Sequence, residues 1–149
     1  MNPAMLLPIL LVLFAGGMIA LQAPTNAILG RAGGSPVLAA LISFAVGTIA
    51  LLIVWLASGN RPETSGFAKL PWYAWMGGLY GAMYVAVAAY AAPRIGLASL
   101  ITIGIAGQIV MAMWIDHVGA LDLPRDPISL VRLGGALLVI VGVVLVRRG

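Results

Sequence analysis

Carboxamide side chains lie inside two strongly apolar segments of this sequence. Gln22 and Asn26 stand four residues apart in the first segment, so a helix places both on one face. At a helical rise of about 1.5 Å per residue, Gln22 lies roughly 8 Å from the centre of the first segment. Gln108 lies about 4 Å from the centre of a later segment on the same estimate. Polar side chains in a bilayer are costly and often functional. These amides predict contacts with a polar solute or, alternatively, hydrogen bonds between helices.

Titratable side chains meet where the segment that contains Gln108 ends. Asp116 is followed directly by His117, and the sequence offers Arg125 and Arg132 as partners for the carboxylate. The structural interpretation is an ion pair at the membrane surface that ends the helix. The functional interpretation is a gate linked to proton movement, because Asp and His can both change charge. No acid lies near the centre of any apolar segment, so a carboxylate-centred cation antiporter is poorly supported.

Tyrosines and glycines give the third apolar segment a distinct character. Tyr80, Tyr84 and Tyr90 either line a pathway or pack between helices, and we select Tyr84 as a candidate substrate contact. The spacing of Gly77 and Gly81 is typical of closely packed membrane helices.

Five apolar segments must position these residues. The chain has 149 residues, of which 62% are hydrophobic and 8% are charged, against roughly 25% charged residues in soluble domains. A membrane helix needs about 20 mostly apolar residues. This pattern predicts an all-α integral membrane protein with one transmembrane domain, 1–149. Its five helices are expected at about 5–29, 36–57, 71–91, 95–115 and 129–146, with a tight connection at 92–94.

Several classes of protein are excluded by composition. The chain has no cysteine, one histidine and four acidic residues, so we expect no metal site, no cofactor and no enzyme active site. The net charge is +4, but the basic residues are spread over the segment ends without a clustered basic patch, which argues against a nucleic-acid partner. No Lys or Arg precedes the first apolar run, and the run is long, so we expect a retained helix rather than a cleaved signal peptide.

The basic residues give no bias in orientation. Short loops on the cytoplasmic side of membrane proteins usually carry more Lys and Arg. Here the side of the amino terminus, side A, is expected to hold Arg61, Lys69, Arg125 and Arg132. The opposite side, side B, is expected to hold Arg31, Arg94, Arg147 and Arg148. Two interpretations remain: orientation set by other features, or insertion both ways, with inverted copies paired as an antiparallel homodimer.

An inverted pair would bring the amides of two chains to similar depth. Within one chain, Gln22 is displaced from its helix centre towards side B and Gln108 towards side A. Inversion of the partner places its Gln22 on side A. Inverted repeats with a site near the midplane are a recurrent architecture of transporters. Dual topology therefore predicts a shared central site.

The order of short motifs along the chain resembles a known family. The motifs are Gln22-Ala23-Pro24-Thr25-Asn26, Gly30-Arg31, Ser43-Phe44-x-x-Gly47-Thr48, Pro71-Trp72, Pro93-Arg94-x-Gly96, Gly107-Gln108 and Asp116-His117-x-Gly119. Together they resemble the YdcZ-like family of five-helix proteins in the drug/metabolite transporter superfamily. The resemblance covers nearly the whole chain.

This resemblance implies a bacterial inner-membrane protein, each chain equal to half of a ten-helix transporter. It implies a small-molecule substrate and a lipid environment. The leading hypothesis is a secondary transporter that works as a homodimer, expected to be antiparallel, and pairing with a related partner is the alternative. Gln22, Asn26 and Gln108, with Tyr84, are then the expected substrate contacts, and Asp116 and His117 the expected gate. A dual-topology ion channel and an accessory subunit without transport are the alternatives. Replacement of Gln22 or Gln108 distinguishes the three hypotheses. It should abolish saturable flux in a transporter, change the conductance of a channel and leave the function of an accessory subunit intact.

Overall fold

The computed structural model describes residues 5–59, 61–62 and 64–148, and within these ranges every regular element is helical. The α-helices are α1 (Leu6–Gly33), α2 (Pro36–Ala57), α3 (Gly77–Ile95), α4 (Leu97–Val118) and α5 (Leu130–Arg148). Two 3₁₀ helices, Thr64–Lys69 and Trp72–Trp75, lie between α2 and α3. The chain forms two compact units, Met1–Arg94 and Ile95–Gly149.

The turn between α1 and α2 is built by glycine, serine and proline in succession. Gly34 adopts the left-handed conformation, with φ of +69°, and ends α1. The Ser35 hydroxyl then accepts a hydrogen bond of 3.2 Å from the Leu38 N–H, and Pro36 occupies the first turn of α2. α1 therefore runs to Gly33, four residues beyond the predicted end, because Gly30 and Gly33 remain helical.

Buried positions in the first unit are almost all alanine. They are Ala23 and Ala27 on α1, Ala39 and Ala40 on α2, and Ala88, Ala89 and Ala92 on α3, with Val85 of α3 and Asn26 of α1. Small side chains let helix backbones approach closely, as in membrane helix bundles. The large aliphatic side chains are exposed; Val12 and Leu51, for example, are each 72% exposed. This distribution suits a protein whose outer surface faces lipid.

Three helices, α1, α2 and α4, are long and apolar enough to cross a membrane by length and composition. α5 contains a shorter apolar stretch, Leu130–Val146. α3 is 19 residues long and carries four buried residues. Its sequence is less apolar, because glycines and tyrosines replace aliphatic residues.

The predicted boundaries of the third and fourth helices were partly wrong. Residues 72–75 form a 3₁₀ helix, and α3 begins at Gly77 instead of residue 71. α3 also continues past the predicted 92–94 connection to Ile95, with Pro93 inside its last turn. The Arg94 guanidinium donates to the Tyr90 carbonyl and lies 3.7 Å from the centre of the Tyr90 ring, which supports this last turn. The break comes at Gly96, with φ of +79°.

Candidate functional site

A polar cleft lies between α1 and α2, near the middle of both helices. Gln22 lines it from α1, and α2 contributes Ser43, Phe44, Gly47, Thr48 and Leu51; the volume is about 190 Å³. Because α1 extends to Gly33, Gln22 is only about 4 Å along the axis from the centre of its helix. Thr48 lies about 2 Å from the centre of α2 on the same basis. The cleft therefore lies near the midpoint of both helices.

The polar groups of this cleft are free to bind a ligand. In the part of the chain that the structure describes, neither the Gln22 amide nor the hydroxyls of Ser43 and Thr48 make a hydrogen bond. Thr25, by contrast, donates its hydroxyl to the carbonyl oxygens of Leu21 and Gln22, at 3.1 and 2.9 Å. Unpaired polar groups are costly where water is absent, so a ligand or ordered water that satisfies them is strongly favoured.

Asn26 lies one helical turn beyond Gln22 and is the buried polar residue of the first unit. Its residue surface is 2% exposed, and within residues 5–59, 61–62 and 64–148 its Nδ2 has no hydrogen-bond partner. The neighbouring Ala23 and Ala27 are also buried. An unpaired buried amide donor costs about 1–3 kcal/mol. A ligand, an ordered water or another chain that accepts from Nδ2 would remove that penalty.

The remaining predicted contacts are more open. Tyr84 on α3 is 36% exposed, and it follows Met83, which lines a second cleft of the first unit. Gln108 on α4 is exposed in the second unit. Of the three predicted amides, Gln22 and Asn26 lie on α1 and Gln108 lies on α4, and only Gln22 lines one of the clefts described here. Sequence analysis missed Ser43 and Thr48 as site residues, although both belong to a motif that carried the family resemblance.

The second cleft lies between α2 and α3 and is apolar. Its volume is about 490 Å³, and it is lined by Val37, Ala40, Leu41 and Phe44 of α2 and by Leu79, Ala82, Met83 and Ala86 of α3. Phe44 lines this cleft and the polar one. The Phe44 ring also reaches α3, because a Cβ atom placed on Gly81 would lie 3.2 Å from Cζ of the ring. The close approach predicted for Gly81 is therefore to an aromatic ring.

In the second unit, Arg132 of α5 joins two carboxylates. Its Nη2 lies 2.6 Å from Asp116 Oδ2, and its Nη1 lies 2.9 Å from Asp126 Oδ2. The side chains of Arg132 and Asp116 are 34% and 30% exposed, so water screens this pair only in part. Of the two partners that the sequence offered to Asp116, Arg132 forms the ion pair. Arg125 has a different role.

Backbone and side-chain hydrogen bonds fasten the α4–α5 connection to the end of α4. Arg125 donates from Nε to the His117 carbonyl at 3.0 Å, and the Ile128 N–H donates to His117 Nδ1 at 3.3 Å. The Asp126 N–H donates to the Asp116 carbonyl at 2.8 Å. We call residues 119–128 the strap. Every predicted gate residue therefore takes part in holding the strap.

A third cleft, of about 310 Å³, lies beside this ion pair. Its lining residues are Ile109, Ala112, Met113 and Asp116 of α4 and Arg132, Gly135 and Ala136 of α5. Asp116 and Arg132 therefore face both the strap and a cleft between two helices. Within the described ranges, no three histidine, aspartate or glutamate side chains come together to hold a metal ion.

The family comparison gives these clefts their context. A model of the family described as "Putative inner membrane exporter, YdcZ" matches residues 7–145, almost the whole chain. The chain belongs to the YdcZ family. The resemblance seen in the motifs is thereby confirmed, as is the location in the bacterial inner membrane as a multi-pass protein. For this YdcZ family member a transporter-like role in the membrane follows at the level of the family.

No curated protein and no solved structure matches the chain significantly. The assignment of individual residues in this YdcZ protein therefore rests on the geometry of its own clefts.

Proposed function

We propose that this YdcZ protein is a secondary transporter that moves a small polar or amphiphilic solute across the inner membrane by alternating access. The observation that carries the proposal is the polar cleft between α1 and α2. Gln22, Ser43 and Thr48 offer free donors and acceptors there, at the middle of two membrane helices. A polar solute crossing lipid needs such groups in place of its hydration shell.

Asn26 and Tyr84 extend this binding site along the first unit. Asn26 supplies a buried donor on the Gln22 face of α1, and Tyr84 supplies an exposed phenol on α3. A bend of α1 that opens the buried Asn26 position to the solute would let a hydrogen bond relieve the unpaired state of its amide. Pro24 removes one backbone hydrogen bond within α1, which makes the helix easier to bend beside the site.

All five α-helices span the membrane in this proposal. α3 and α5 each have 19 residues, which corresponds to about 28 Å of helix, close to the bilayer core of about 30 Å. Among the described residues, α3 has four buried positions, against three in α1 and two in α2. A helix that contacts other helices more and lipid less can be less apolar than its neighbours. One chain then supplies five helices, and an antiparallel homodimer supplies ten.

In the dimer, Gln108 is contributed to the central site by the inverted partner. The balance of four basic residues on each side supports insertion in both orientations. The exposed position of Gln108 leaves its amide available to another chain. Asp116, His117 and Arg132 form the gate on side A: opening separates the strap from α4, and closing restores the ion pair.

Flux through purified protein in sealed liposomes tests the proposal. Labelled sugars, amino acids, alkyl glycosides and quaternary amines form a suitable panel. We expect saturable uptake of at least one class above empty liposomes, with a loss of at least about tenfold in Gln22→Ala. Leu21→Ala is the matched control, because Leu21 is adjacent and 58% exposed. Saturable flux that is equal in both variants would contradict the role of Gln22.

The same preparations separate the alternatives. A channel gives non-saturating flux and a measurable conductance in planar bilayers, and Gln22→Ala alters that conductance. An accessory subunit gives neither flux nor conductance when purified alone, and tolerates Gln22→Ala apart from stability.

Topology tests the dimer separately. Single cysteines at Ala32 and Gly66, both exposed and expected on opposite sides, are probed in this cysteine-free chain with an impermeant thiol reagent. Labelling of each site from both membrane faces at similar levels is expected for dual topology. Labelling of each site from one face only would reject the antiparallel homodimer.

A further inference from the structure

Phe44 separates two clefts of opposite character within the first unit. On one side of its helix lies the polar cleft with Gln22, Ser43 and Thr48, and on the other lies the apolar cleft that reaches Met83. The two clefts share Phe44 as a lining residue. A ligand that fills both must carry a polar part joined to an apolar part.

The lining of the polar cleft indicates the chemistry of the polar part. No charged side chain lines either cleft. The Gln22 amide both donates and accepts, and the hydroxyls of Ser43 and Thr48 do the same. Such a set matches hydroxyl or amide groups. It offers no counter-charge to a phosphate, carboxylate or ammonium, whose burial without a partner is strongly unfavourable.

The apolar cleft indicates the chemistry of the other part. Its volume of about 490 Å³ lies within the usual range for small-molecule sites, and alanine, valine, leucine, methionine and phenylalanine line it. The Phe44 ring touches Gly81 and so bridges α2 and α3. This bridge bounds the cleft, and it favours a compact chain or ring over a continuous helix from another protein.

We propose that the transported substrate is an uncharged amphiphile, with a hydroxyl- or amide-bearing head in the polar cleft and an apolar body in the apolar cleft. This inference rests on the proposed transport function and specifies its substrate class. A phospholipid headgroup is disfavoured in the polar cleft, because its phosphate finds no cationic side chain there. Binding of the head satisfies Gln22, Ser43 and Thr48, while the body displaces lipid from Leu79 and Met83.

Photolabelling of the protein in nanodiscs tests this inference. The probe is octyl β-D-glucoside with a diazirine near the end of its alkyl chain, and the labelled residues are identified by mass spectrometry. We expect saturable labelling of residues that line the apolar cleft, with Leu79 and Met83 foremost. Unlabelled octyl glucoside should compete. Free glucose and octyltrimethylammonium should fail to compete, because one lacks the apolar body and the other carries a charge.

Two matched pairs of variants locate the head and the body. Ser43→Ala combined with Thr48→Ala should reduce labelling at a fixed low probe concentration by about tenfold. Thr25→Ala should leave labelling unchanged, because the Thr25 hydroxyl is bonded to its own helix. Gly81→Ala pushes on the Phe44 ring at 3.2 Å and should reduce labelling, whereas Gly78→Ala meets nothing within 4 Å and should not. Circular dichroism and size-exclusion profiles verify that each variant is folded.

Each other outcome overturns the inference in a distinct way. One such result is that octyltrimethylammonium competes as well as octyl glucoside does, and another is that labelling is the same in the Ser43→Ala, Thr48→Ala variant. Either result means that the apolar cleft is only a lipid-filled groove. Crosslinks between two copies at Leu79 or Met83 mean that the cleft is covered by the second chain. Saturable, Gln22-dependent flux of a fully hydrophilic solute without glucoside labelling would reject the amphiphile and leave the transporter standing.

Discussion

Asn26 is costly to the folded chain because its amide donor is buried without a hydrogen bond in the described structure. Replacement of a buried, unpaired polar group removes a desolvation penalty of about 1–3 kcal/mol. The alanine variant also loses a few packed atoms, which offsets part of that gain. If Asn26 binds solute as proposed, stability and activity make opposite demands at this position.

We expect Asn26→Ala to keep or raise the thermal unfolding temperature in detergent while it lowers saturable flux in liposomes. Differential scanning fluorimetry and the liposome assay measure the two effects on one preparation. Asn26→Leu, which is bulkier, shows separately what overfilling of this buried position does to stability. A clear fall in unfolding temperature for Asn26→Ala would mean that the amide has a partner in the assembled protein.

Arg132 presents the reverse case, because two carboxylates depend on it. Arg132→Gln leaves Asp116 without its 2.6 Å partner beside a cleft. Since the pair is only partly screened by water, we expect the variant to unfold at a lower denaturant concentration. Asp116→Asn in the same chain should recover most of that loss. A double-mutant cycle by denaturant titration in mixed micelles measures the coupling, and additive effects would argue against the pair.

At this scale the sequence predicted residue types better than partners. Gln22 and Asn26 were selected because amides are rare inside apolar segments, and they lie one turn apart on α1 as expected. Ser43 and Thr48 were not assigned to a site, because hydroxyls on membrane helices commonly bond their own backbone, as Thr102 does to Ala98. Asp116 had two arginines within reach along the chain. Only the rotation of α5 and the path of the strap select Arg132.

The strap depends on Gly119 as the hinge between α4 and the connection. Gly119 has φ of +68°, and a Cβ atom there would lie 3.2 Å from the Arg125 Cβ. The left-handed backbone conformation is adopted readily by glycine and less readily by asparagine, and it is unfavourable for most other residues. Leu121 and Asp122 also have positive φ, at 59° and 60°. The segment is thus held in a strained path by its bonds to His117 and Asp116.

Gly119→Ala should release the strap and destabilise it by about 1 kcal/mol or more. We expect faster tryptic cleavage after Arg125, because its side chain would leave the His117 carbonyl. Gly107→Ala is the matched control on α4, since a Cβ atom there meets nothing within 4 Å. Equal cleavage rates in the two variants would show that the strap does not require the left-handed turn.

Helices were predictable from hydropathy, while their ends followed local chemistry. The α2 range was predicted without error, because Pro36 marks its first turn and a polar turn follows Ala57. α3 was placed too early because Pro71 also suits a helix start. Its end was placed too early because Pro93 suggested a break, yet a proline in the last turn removes only one hydrogen bond. The backbone instead turns at Gly96, whose positive φ no other residue in that segment would favour.

At the scale of the whole molecule, orientation depends on a small number of charges. Thr64, Ser65 and Gly66 lie in an exposed segment on the expected side A. Replacement of all three by lysine should direct side A to the cytoplasm in every copy. If function needs inverted pairs, flux in cells should then fall severely. Co-expression with a chain that carries three added lysines at its carboxyl terminus should restore it.

Thiol labelling of a cysteine at Ala32 verifies the orientation of each form, and three glutamines at the same positions control for the changed loop. Full activity of the lysine variant alone would reject the antiparallel homodimer.

The architecture of the whole transporter was less accessible from physical reasoning. Apolar segment lengths indicated a membrane protein, but the half-transporter came from the order of motifs. With four basic residues expected on each side of the membrane, the sequence does not distinguish a single orientation from insertion in both orientations. Gln22 and Gln108 illustrate the reason: one chain fixes each amide on its helix, whereas the proposed shared site depends on how two chains would pair.

The ion pair between Asp116 and Arg132 bears on how the chain enters the membrane during synthesis. An unpaired arginine near the start of a membrane helix raises the free energy of insertion, and α5 has a shorter apolar stretch than α1, α2 or α4. α4 is made first and carries the counter-ion at its end. Once Arg132 forms the ion pair with Asp116, the charge of its guanidinium is neutralised. The strap then connects α4 and α5 as the turn of a helical hairpin. We therefore expect α5 to partition into lipid as the second arm of a helical hairpin, poorly on its own and readily after α4.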